Sequence, residues 1–140
     1  MIKAAILPLG FCLLFVNSTV SIAQTTPEQT AINEGLQRQA AQITLRAKLA
    51  AAADAVARHD LAAAANFYDE AWDLVQFIGI ASVGQEADDV RTGLAAARLE
   101  LAKAAQRRGD LREADRHVKD ILRVDPANPV AIFLQAVSGI

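Results

Sequence analysis

The chain is predicted to fold as an all-α protein built from antiparallel helical hairpins. Three observations predict it. Beyond residue 24, apolar residues recur at steps of three and four, the period of a helix face. No run after that point alternates valine, isoleucine and aromatic residues with polar ones, as a half-buried strand would. Two short segments, His59-Asp60-Leu61 and Gly109-Asp110-Leu111, carry the same turn signal, and each is followed by a small residue, Ala64 or Ala114. An internal repeat is therefore present, and its narrow apolar stripes are buried only if the hairpins stack.

Length and composition agree with one domain. Of 140 residues, 53% are apolar but only 5% aromatic, and alanine fills much of the difference. Alanine favours helix and lets axes approach closely, yet each one buries little area, so the core is expected to be tight and shallow and the stability modest.

Residues 1–23 read as a secretory signal peptide. Lys3 is the positive start, Ala4 to Val16 the apolar centre, and Ser21-Ile22-Ala23 the small-residue cleavage site. The apolar centre is about 13 residues against the roughly 20 that a bilayer span needs, and Pro8 and Gly10 interrupt it. Phe11 precedes Cys12 where lipid attachment would need a small residue. Export to a periplasmic or extracellular space is the expectation. Cleavage would leave no cysteine, hence no disulfide or thiolate metal site.

The mature region, 24–140, divides into hairpin one at 27–78, hairpin two at 83–125 and a final single helix at 129–138. Thr26-Pro27-Glu28-Gln29 starts the first helix, with a capping hydroxyl, proline in the first turn and glutamine placed to close a capping box. Its expected apolar stripe is Ile32, Leu36, Ala40, Ile43, Ala47, Ala50 and Val56. At about 1.5 Å per residue the helix is about 45 Å long, more than a hairpin needs. Its front half either overhangs and frays or meets another subunit as a coiled coil.

After His59-Asp60 the second helix carries Ala64, Tyr68, Ala71 and Val75 on one stripe, flanked by Phe67 and Trp72. His59 stands in the turn where Gly109 stands in the other, a solvent-facing helix-end histidine with no ligand partner near it in sequence. Residues 79–84 form a loop in which Ser82 is expected to cap the next helix, with Gln85 closing the box. The third helix runs to Arg108 with Leu94, Ala97, Leu101 and Ala105 on one side. Gly109 then permits a left-handed end, Asp110 caps, and Glu113 is placed to reach back. The fourth helix buries Leu111, Ala114, Val118, Ile121 and Leu122 and stops at Asp125-Pro126. Asn128-Pro129 opens the last helix, whose apolar Val130, Phe133 and Val137, with Ile132, Leu134 and Ile140, call for a cover.

The stretch 95–128 resembles a tetratricopeptide repeat. The matching residues are Leu101, Ala102, Gly109-Asp110-Leu111, Ala114, Ile121 and Asp125-Pro126, over the 34 residues the family uses. Arg98 and Ala105 stand where the family often carries large aromatic residues. The resemblance implies a short solenoid of about two and a half repeats that binds a protein or peptide partner. The first helix of each hairpin would line a concave surface, which makes Arg46, Leu49 and Ala53 of the first unit and Leu99, Lys103 and Gln106 of the second the candidate contacts. The leader, long first helix, irregular repeat spacing and DPANPVA ending are also similar to the helical region preceding some secretin-type channels of pilus and type II secretion systems. That kinship implies a scaffold in a cell-envelope assembly, or a piece of a longer secretin-like protein. The competing expectation is a structural protein that self-associates, with Val130, Phe133 and Val137 of the last helix as the interface.

Charge and motif content point the same way. From Asp60 to Asp89 there are seven acidic residues and no lysine or arginine, whereas Arg91 to Arg123 holds nine basic and five acidic ones. The two segments are expected to attract each other within the stack. The net charge of −2 and the lack of aromatic platforms in the basic half argue against nucleic acid. There is no phosphate-cradling glycine loop, no nucleophile in a recognisable setting and no histidine and carboxylate cluster at metal spacing, so neither an enzyme nor a cofactor is expected.

Overall fold

A computed structural model describes residues 26–138. The leader read over residues 1–23 and the apolar Ile140 lie outside the described residues. Five α-helices follow in order: α1 (Pro27–Ala57), α2 (Leu61–Ile78), α3 (Gly84–Arg107), α4 (Leu111–Val124) and α5 (Pro129–Ser138), with one 3₁₀ turn at Ile80–Ser82. No strand occurs among the described residues, and the class is all-α. No described helix is long and apolar enough to cross a membrane.

Each helix packs chiefly on the next along the chain, and α1 also touches α3. The two hairpin turns are built alike. His59 and Gly109 both take left-handed backbone, with φ of 59° and 80°. The following amide reaches six residues' span back into the helix, Asp60 N–H to the Ala55 carbonyl and Asp110 N–H to the Ala105 carbonyl, each at 2.9 Å. The same two aspartates then cap the next helix, Asp60 accepting from Ala63 N–H at 3.0 Å and Asp110 from Glu113 N–H at 2.9 Å. Identical local chemistry thus produces two identical reversals.

The core has three parts. Leu45, Trp72, Val75, Ile78, Val90 and Leu94 join α1, α2 and α3, with Val124 of α4 reaching in. Ala55, Ala64, Ala65 and Ala97 form a seam near the first turn in which every buried residue is alanine. Ala102, Val118, Ile121 and Ala131 close α3, α4 and α5. Between α2 and α3, a methyl group at Gly93 would overlap the ring of Tyr68.

Several expectations are corrected. The stripe Ile32, Leu36, Ala40, Ile43, Ala47 and Ala50 is not the buried side of α1: all six residues are exposed, and Val56 is exposed too. The buried side is Ala41, Leu45, Ala52 and Ala55. Leu36 stands nine residues, about two and a half turns, from Leu45, and so points the opposite way. An alanine-rich helix offers two apolar stripes, and contact with Trp72, Val75 and Leu94 selected the one carrying Leu45. In the same way Leu111 is exposed while Ala114, Val118 and Ile121 are buried.

The capping boxes also differ. Gln29 bonds Asn33, and Glu113 bonds Arg108, because the amides they were expected to serve are already paired or exposed. Ser82 lies inside the 3₁₀ turn; Val83 precedes α3 and supplies no side-chain cap. Asn128, by contrast, caps α5 by accepting from Ala131 N–H at 3.1 Å.

Candidate functional site

The six candidate contacts divide by position. On α1, Arg46 and Ala53 are exposed and Leu49 is half-buried against the first core cluster. On α3, Lys103 is exposed, while Gln106 is half-buried and Leu99 packs against the third cluster. The register between the two helices follows from one ion pair, Arg46 Nε to Glu86 Oε1 at 3.3 Å. Because α1 and α3 run the same way, Arg46 beside Glu86 puts Ala53 level with Gly93 and the last residue of α1, Ala57, level with Ala97. The shared cluster of Ala55 and Ala97 agrees with this register.

Leu99, Lys103 and Gln106 therefore lie past the end of α1. The turns are 50 residues apart in sequence, at 59 and 109, but the register between α1 and α3 is 40. The difference of ten residues displaces the two trios by about 15 Å along the helix axis. Its cause is the added length at the end of α2 and the start of α3, which contact each other and shift the second hairpin forward.

Where the two hairpins meet, the structure holds a charged cluster. Arg98 of α3 is its centre, bonded to Asp69 of α2 and to Asp120 of α4, the latter at 3.2 Å. Asp69 also takes Arg123 Nη2 at 2.8 Å. Arg98 Nη1 donates to His117 Nδ1 at 3.2 Å, the tautomer with hydrogen on Nε2 being the one that accepts there. His117 is only 7% exposed, and its Nε2 has no hydrogen-bond partner; Glu113 Oε1 stands 3.7 Å away. Burial first, and the Arg98 cation second, hold the His117 pKa below the usual histidine value.

The two sequence segments of opposite charge meet in this cluster at Asp69. Asp69 from the acidic stretch is neutralised by Arg98 and Arg123 from the basic one, Glu70 pairs with Lys48, and Glu86 pairs with Arg46. The signal for it lay in Arg98, a charge set among Leu94, Ala97, Leu101 and Ala105, since an arginine on an inward face requires buried partners. Its partners could not be named from sequence, being 19 to 29 residues away on other helices.

A cleft of about 470 Å³ opens between the start of α3 and the α4–α5 connection, lined by Asp88, Arg91, Thr92, Val124, Asp125 and Asn128. Arg91 pairs with Asp88 at 2.9 Å and lies 5.2 Å over the Trp72 ring, and Asp125 accepts from Asn128 Nδ2 at 3.1 Å. Val130, Phe133 and Val137 of α5 are exposed, whereas Ala131 is buried against α3 and α4. Among the described residues no group of three or more metal-ligating side chains converges. Comparison of the chain with protein-family models, curated proteins and solved structures finds no match.

Proposed function

We propose that the chain is an exported scaffold of the tetratricopeptide kind, which holds a protein or peptide partner in a cell-envelope assembly of the secretion or pilus type. The reading rests on one observation: two hairpins with the same hydrogen-bonded turn stand side by side, joined by Asp69 of the first to Arg98 and Arg123 of the second. A rigid stack of this kind presents a continuous surface and no demand for chemistry. Export enters through the leader at residues 1–23.

The candidate surface runs obliquely from Arg46 and Ala53 to Lys103. An extended peptide of about five residues covers the stagger of about 15 Å between the trios. Leu49 and Leu99, each half-buried, offer apolar footing at its two ends.

A photo-reactive amino acid at Ala53 and another at Lys103 test this in the native envelope. Both positions are expected to trap the same protein, and Arg116 on α4 is expected to trap none. Failure to trap at either of the first two positions sinks the proposal.

A further inference from the structure

The stripe that the core left outside α1 has a use of its own. Ile32, Leu36 and Ile43 are 56%, 60% and 67% exposed, and every residue from Thr26 to Ala40 is exposed. The first buried residue of α1 is Ala41, and before it Phe77 of α2 comes beside the helix, at Glu34, Gln37 and Arg38. The overhang, Pro27 to Ala40, is 14 residues long and contains Gly35, whose surroundings are empty. A helix of that length standing alone in water is marginal, and a glycine in it weakens it further.

The stripe is graded along the helix. Its first half carries the large residues Ile32 and Leu36, its second half the small residues Ala47 and Ala50, with Ala40 and Ile43 between them. We propose that α1 pairs antiparallel with α1 of a second copy, Leu36 and Ile43 of one stripe seated against alanines of the other. A two-fold placed midway between Ala41 and Gln42 sets Leu36 over Ala47 of the second copy and Ile43 over Ala40 of the second copy, and the symmetry repeats both contacts. Alanine opposite a large side chain lets the axes approach while the knob fills the space.

Charge permits the pairing. Glu34 and Arg38 are spaced from Leu45 to lie on its side of the helix, away from the stripe. The flanks set Gln37 opposite Arg46 and Gln39 opposite Thr44, so no like charges meet, and Arg46 is already held by Glu86. The stripe runs from Ile32 to Ala50, about 27 Å, and the overhang of each copy comes to rest on the alanine face of the other. The interface is isologous and closes at two subunits. It stands on a face of α1 next to the one bearing Arg46 and Ala53, so partner binding and pairing fail separately.

Sedimentation of the purified protein at about 1 to 100 µM tests the pairing. The expected result is a monomer–dimer equilibrium whose dissociation constant rises at least about tenfold in Leu36→Glu and in Ala47→Leu, with no change in Phe133→Glu. Ala47→Leu keeps helix propensity and adds only bulk to the small half of the seam, so its effect is not one of unfolding. Orientation is read in a Cys12→Ser background: Leu36→Cys and Ala47→Cys proteins are expected to cross-link when mixed and not when alone. A protein monomeric throughout, a dimer indifferent to Leu36→Glu, a dimer lost in Phe133→Glu, or cross-linking of Leu36→Cys with itself each overturns the proposal.

Discussion

Tyr68 lays its ring against the backbone of α3 at Gly93, in the space a methyl group would take. The glycine is mid-helix, where it would ordinarily weaken the structure by about 1 kcal/mol relative to alanine. Here it admits the tyrosine and fixes how closely α2 and α3 approach. Burial, with Asp89 nearby, raises the pKa of that phenol.

Gly93→Ala is therefore expected to lower stability by about 1–3 kcal/mol, the usual result of overpacking, despite the better helix propensity of alanine. In a Tyr68→Ala background the same substitution is expected to be neutral or stabilising. Urea midpoints of the four proteins measure the coupling. Additive effects would show that ring and glycine do not meet.

The paired turns make a second, signed comparison. His59 holds a left-handed φ of 59° that costs a side-chain-bearing residue about 1 kcal/mol, while Gly109 adopts φ of 80° freely. His59→Gly is expected to raise stability by about 0.5–1 kcal/mol and Gly109→Ala to lower it by about 1 kcal/mol. Thermal unfolding of the two variants checks the signs, and equal effects of the same sign would refute the shared geometry.

His117 sets a pH dependence. Its folded pKa lies below the ordinary value of about 6.5, because burial and Arg98 disfavour the cation, although Glu113 and Asp120 pull the other way. The unfolded chain therefore binds more protons than the folded one as pH falls through about 6.5 toward the folded value, and stability is lost across that window. Above about 6.5 this contribution is fully present. His117→Gln keeps an acceptor for Arg98 without a titration and is expected to flatten the melting temperature between about pH 7.5 and 5.5. Parallel profiles for wild type and His117→Gln would remove the histidine from the account.

Local chemistry was legible in the chain. The helices, their stops at Asp125-Pro126 and the two reversals depend on neighbours within a few residues, and such neighbours are visible in sequence. Caps were legible as donors and acceptors but not always as pairs: Glu113 could bond Asp110 or Arg108, and only the folded geometry chose Arg108.

The sequence by itself determined an all-helical chain with two like turns, because capping, proline geometry and the 3.6-residue period act over a single turn of helix. Tertiary structure alone decided which of the two apolar stripes of α1 is buried, because the larger residues Ile32, Leu36 and Ile43 favour the other stripe and only contact with Trp72 and Leu94 puts Leu45 inside. It also decided the stagger between Arg46 and Lys103 and the meeting of Asp69, Arg98 and His117. Those relations depend on the register of helices distant in sequence, which the packing of α2 on α3 sets and no local pattern encodes.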